Sequence, residues 1–87
     1  MTLTEEITLR LQSLSPSKLE IVDDSALHAG HKGHGGGGHF SVCITSSHFS
    51  GKSQIMRHRL IYQALADLIP NKIHALSIQA QASDELK

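Results

Sequence analysis

Cysteine is nearly absent. Of 87 residues only Cys43 carries a thiol, which excludes an internal disulfide and a cysteine-rich metal site. Tryptophan is missing, and two Phe and one Tyr are all the chain has of the large aromatics, so a core must rest on Leu, Ile, Val and Ala. Neither sign of charge prevails. Eight Asp and Glu balance eight Lys and Arg, which argues against wholesale attraction to nucleic acid, since that depends on many Lys and Arg contacts to phosphate. No apolar run approaches the roughly 20 residues of a membrane span. The opening "MTLTEEITLRLQ" also lacks the basic start and unbroken apolar centre of a signal peptide. These absences predict one small cytoplasmic domain over residues 1–87, with no membrane partner.

Histidine and glycine are what the chain has in surplus, seven of each. Four histidines, His28, His31, His34 and His39, fall in one stretch, "HAGHKGHGGGGHF". Imidazole binds zinc, copper, nickel and iron, and several imidazoles close together attract a metal. The same composition also describes a polar, glycine-rich connection that picks up metal only incidentally. Taken alone, the loop reads as the second.

The flanking pattern gives the loop a place. Leu3, Ile7, Leu11 and Leu14 repeat at helical spacing, with Thr4 as the cap and "SPS" at 15–17 as the end. "KLEIVDD" alternates as a short strand to about Asp23, and "HFSVCITS" alternates Phe40, Val42 and Ile44 against Ser41, Cys43 and Thr45. "SGKSQIMRHRLIYQALADLIP" predicts a long helix capped by Ser53 and stopped by Pro70. Its apolar stripe is Ile55, Met56, Leu60, Ile61, Ala64, Leu65 and Leu68. "IHALSIQAQ" is a third strand, and "SDELK" a last turn. The order α-β-β-α-β predicts an α+β layer, a small three-stranded mixed sheet with its helices on one face.

That order has a geometric consequence. Two strands joined by a loop pair antiparallel, while the second strand, the long helix and the third strand form a crossover unit with parallel strands. The start of the third strand therefore lies at the end of the sheet where the histidine loop sits. His74 opens that strand, and neighbouring strands are only about 4.8 Å apart. By parity with Leu76 and Ile78, His74 is expected half-buried at the rim of the core.

Other motifs carry less. "SGKS" at 50–53 lacks the earlier glycine of a phosphate loop, because position 46 is Ser46. "GHKG" at 30–33 has the spacing of an RNA-clamping turn, but it falls between two strands rather than two helices. "RHR" at 57–59 is a local basic cluster on the long helix. Cys43 reads as a small strand residue. No carboxylate pair and no nucleophile with its own base stands out, so no enzyme is predicted.

The chain resembles the BolA family through "DDSALHAGH", "HFSVCITSSHFSGKSQIMRHRLIYQALADLI" and "IHALSIQA", from about residue 4 to residue 82. The resemblance implies a KH-like fold of the class II type. It also implies a monothiol glutaredoxin as partner and a shared [2Fe–2S] cluster, in iron–sulfur cluster handling or iron and redox regulation. The glutaredoxin cysteine and a bound glutathione supply thiolates in that family. The BolA side supplies a C-terminal histidine and a His or Cys from the loop, which by motif position fall here on His74 and His28, with His31, His34 and His39 as alternatives to His28. Some BolA-like proteins are also described as DNA-binding transcriptional regulators, and here Lys52, Arg57 and Arg59 would be the phosphate contacts. Alone, the chain is expected to be a monomer or a weak homodimer.

Overall fold

The computed structural model describes residues 1–25 and 38–85. The elements are α1 (Leu3–Leu11), β1 (Lys18–Asp23), β2 (Gly38–Thr45), α2 (Gln54–Ala64) and β3 (Ile73–Gln81), with 3-10 turns at Gln12–Leu14, Ser47–Phe49 and Ser83–Glu85. The strands lie in the order β1-β2-β3, with β1 antiparallel and β3 parallel to β2. This is the α+β class and the mixed sheet that the order of elements predicts.

Alternation along β2 divides the sheet into two faces. Phe40, Val42 and Ile44 are buried, and Leu19 and Ile21 of β1 stand opposite Ile44 and Val42. Ile7 and Leu11 of α1 and Ile61 of α2 complete this core with Leu65, Leu68 and Phe49. Burying each of these apolar side chains contributes about 1.5–3 kcal/mol. Ser41 and Cys43 point the other way, onto an open face shared with Glu20, Val22, Ser77 and Gln79. Where the chain leaves β2, Ser46 is fully buried. It donates to the Leu14 carbonyl and accepts from the His48 amide.

Three local expectations give way. The cap of α1 is Thr2, not Thr4. Thr2 and Glu5 stand at the Thr-x-x-Glu spacing of a capping box and exchange both hydrogen bonds, at 2.8 and 3.1 Å. α2 is capped by Ser53 as expected, but it ends at Ala64 rather than Pro70. From Leu65 to Pro70 the chain runs through turns instead of continuing the helix, and Pro70 has no N–H to give the Ala66 carbonyl. Leu65 and Leu68 stay buried in the turns that follow, and Asp67 and Lys72 pair with Arg10 and Glu6 of α1 at 2.8 and 3.3 Å. The apolar stripe of α2 also starts late: Ile55 and Met56 are exposed, and Arg57 takes the inward position of the first turn.

Gly38, the first residue of β2, sits against the ring of the buried Phe40. A Cβ at position 38 would run into that ring. Gly38→Ala is therefore expected to destabilise the domain by about 1–3 kcal/mol, as overpacking does. Chemical denaturation with a shifted midpoint and an unchanged slope would show it.

Candidate functional site at the end of the sheet

The chain leaves β1 through a set of side chain to backbone bonds. The Asp23 carboxylate accepts from the Ser25 amide at 2.9 Å, and the Ser25 hydrogen bonds hold its pKa below the usual carboxylate range. The Asp24 amide donates to the His39 carbonyl at 2.7 Å, and the His39 amide donates to the Ser25 hydroxyl at 3.1 Å. Ser41 donates to the Asp24 carboxylate. The entry to β2 is fixed on its other side by the Gly38 amide, which donates to the Lys72 carbonyl at 2.9 Å. Ser25 and Gly38 are thus anchored at the end of the sheet where β3 begins.

His74 stands at that end, as the parallel crossover requires. Its burial differs from expectation. Gly38 pairs with Ile73 but His39 pairs with Ala75, so β3 carries one extra residue, and that residue is His74. A bulge of this kind interrupts the alternation and re-aims a side chain. Ile73 is buried while His74 is exposed, although parity placed His74 on the core face. The turned ring meets His39. The two imidazoles lie with centroids 5.4 Å apart and planes inclined by 40°.

The chemistry of this pair is that of a partial metal site. Imidazole nitrogen binds borderline metals at about 2 Å, so two rings in neighbouring positions fit two ligands on one ion. Among the described residues no group of three or more His, Cys, Asp or Glu forms, so any further ligands would have to come from elsewhere. His28, His31 and His34 lie outside the described residues. Cys43 is four positions along β2 from His39, or roughly 13 Å of strand. Its thiol donates to the Gln79 side chain at 3.3 Å on the open face.

The basic cluster separates. Residues two apart on a helix differ by about 200° in direction, so Arg57 points inward while Arg59 points outward. Arg57 was expected as a phosphate contact, but it is only 4% exposed. Its guanidinium donates to both Glu85 oxygens at 2.8 Å, to the Lys52 carbonyl at 2.9 Å and to the Ala80 carbonyl at 3.2 Å. It is a structural tie between α2, the end of β3 and the C-terminal turn. The same contact, with the Ala82 amide, pulls the Glu85 carboxyl down to about 2. Arg59 remains on the outer face of α2 beside Ile55 and Tyr62, and Lys52 reaches the His48 carbonyl at 2.8 Å. Nothing in the spacing of "RHR" and "SDELK" announces the Arg57–Glu85 pair, because it depends on where β3 returns the chain.

A three-stranded mixed sheet with both helices on one face defines the fold class of the molecule. The chain belongs to the BolA-like protein family, whose model matches residues 11–85. It is 46% identical over 70 residues to BolA-like protein 1 of Pongo abelii, covering 80% of this chain and 50% of the relative. It is 37% identical over 70 residues to the DNA-binding transcriptional regulator BolA of Vibrio cholerae, covering 80% of this chain and 64% of that one. Against the solved BolA domain of SufE1 from Arabidopsis thaliana the TM-score is 0.84 at 41% identity, with 99% of each chain covered. The chain thus spans between half and two thirds of the length of the two curated relatives.

Proposed function

We propose that this chain is a non-enzymatic adaptor that binds a monothiol glutaredoxin and supplies imidazole ligands to a [2Fe–2S] cluster shared between the two proteins. The observation that carries this reading is the bulge at His74. It places an exposed imidazole at the sheet end where β1 is left and β2 is entered, beside His39. His74 is the ligand held by the sheet. Two positions compete for the second imidazole: His28, to which the family resemblance points, and His39, whose ring already stands next to His74. The donor set fits the group. Two imidazoles suit one iron of such a cluster, and the remaining thiolates would come from the partner and a bound glutathione. When bound, the cluster supplies a one-electron couple whose potential rises as imidazole replaces thiolate. The residues of this chain hold and orient. The sheet fixes His74, and the Ser25–His39–Asp24 hydrogen bonds fix the entry to β2. Mixing the protein with a monothiol glutaredoxin, glutathione, iron and sulfide should give a coloured heterodimer, and a colourless mixture of separate proteins would oppose the reading.

A DNA-binding role is the second reading, favoured by the exposed cations Lys52 and Arg59 on and before α2. With Arg57 buried, only these two of the three basic positions can reach phosphate. Binding to duplex DNA should be weak, and replacing both with Ala should reduce the salt slope by about 2. Fluorescence anisotropy across a salt series measures this. An unchanged slope in the double variant would count against the helix as the contact surface.

A further inference from the structure

The two edges of the sheet differ. β1 carries Lys18, Glu20 and Asp23, whereas β3, "IHALSIQAQ", has neither a charged residue nor a proline along its nine residues. Charge and proline are the usual means of blunting an edge strand against further pairing. The register shows which backbone groups face outward. The Gln81 carbonyl accepts from the Ser46 amide of the neighbouring segment at 3.0 Å. Gln81, Gln79, Ser77 and Ala75 therefore bond toward β2, and the alternate residues turn their amides and carbonyls to the edge.

The chain closes both ends of that edge itself. At the start the Ile73 amide donates to the Leu68 carbonyl at 2.9 Å. At the finish the Ala80 carbonyl accepts from Arg57, and the Ala82 amide donates to Glu85 at 3.0 Å. Between them lie Leu76 and Ile78, each turning one N–H and one C=O outward, with no partner for these four groups among the described residues.

These four groups are symmetric about Ser77. We propose that β3 is a self-association edge, through which two copies of this chain pair antiparallel over residues 75–79, centred on Ser77, to form a six-stranded sheet. In that register Leu76 of each copy exchanges both hydrogen bonds with Ile78 of the other, and none of the four groups is left over. The faces agree as well. Leu76 meets Ile78 on the core side, while Ser77 meets Ser77 and Ala75 meets Gln79 on the open side. No charge is brought against another, and the two-fold contact closes on itself. The His39–His74 pairs come to lie at opposite ends of the joined strands. So short an interface makes a weak dimer.

Sedimentation equilibrium of the full chain tests this between about 10 μM and about 1 mM, a range suited to weak association. The average mass should climb from 9.4 kDa toward twice that value. Ser77 is exposed, so its replacement leaves the core alone, which far-UV circular dichroism checks. Ser77→Lys sets two like charges directly opposite each other and should weaken association by about fivefold or more, as should Ser77→Glu. Mixing the Lys and Glu variants should restore association to at least the wild-type level. A wild type that stays at 9.4 kDa throughout, a Lys variant that associates like wild type, or a mixture that fails to associate would each overturn the proposal. Association that survives Ser77→Lys and disappears in Ile55→Lys would overturn it too, by moving the contact to the outer face of α2.

Discussion

His74→Ala should abolish most of the visible absorption and circular dichroism of the heterodimer reconstituted with a monothiol glutaredoxin, while leaving the fold of this chain intact. The asymmetry follows from the bulge. His74 is the extra residue of β3 and is exposed, so trimming it opens no cavity in the core. No neighbour on the strand can replace it as a ligand, because Ile73 is buried and apolar and Ala75 has no donor atom in its side chain. The double variant His28→Ala/His39→Ala should lose the spectrum as completely, since it removes both competitors for the second imidazole. The two single variants then rank them: the one that loses the spectrum marks the ligand. His31→Ala and His34→Ala should stay close to wild type. Thermal melts of the same variants separate ligand loss from unfolding, and an unchanged His74→Ala spectrum would remove the site.

Arg57→Ala should have the largest effect on stability of any charged-residue replacement on α2, and should do nothing specific to DNA binding. The side chain ties three segments together, satisfying the Lys52 and Ala80 carbonyls and both oxygens of Glu85. Its removal leaves a carbonyl at the end of β3 without its donor and releases the turn Ser83–Glu85, so the melting temperature should fall clearly. Arg57→Lys should recover only part of the loss, since an ammonium cannot reproduce the bidentate fork. The pH dependence has a definite sign. The Glu85 carboxyl is depressed from an ordinary 4.5 to about 2, so its contribution is complete above about 4.5 and disappears as pH falls from there toward 2. Wild type should lose stability across that window more steeply than Glu85→Gln, which starts lower and has no charge to lose at that position. Parallel curves for the two proteins would show that the pair adds nothing to folding.

The sheet was legible because its signals are local and repeat. Alternation in Phe40, Val42 and Ile44 and in Leu76, Ile78 and Ala80 marks two strands, and the crossover between them requires the parallel pairing that puts His74 at the loop end. The bulge was not legible. It arises from the pairing of Gly38 and His39 with Ile73 and Ala75, a relation between segments that neither strand carries in its own pattern. For that reason parity placed His74 on the core face, when it is exposed beside His39. Arg57 misled in the same way. A basic residue followed by His58 and Arg59 on a helix reads as a solvated surface, and only the return of β3 and the C-terminal turn reveals the carbonyls and carboxylate that receive it. The early end of α2 was not legible either, because Pro70 bears directly only on Ile69 and on the Ala66 carbonyl, and the helix stops at Ala64, before both.

The central claim is that imidazoles of this chain, His74 among them, bind iron in the shared cluster. Pulsed paramagnetic resonance on the reduced heterodimer, with histidine of this chain alone labelled with 15N, addresses it directly. Couplings from two imidazole nitrogens are expected, and His74→Ala should remove at least one of them in whatever cluster the variant retains. A spectrum without any coupling to the labelled histidines would mean that sulfur ligands alone hold the cluster, and it would contradict the account.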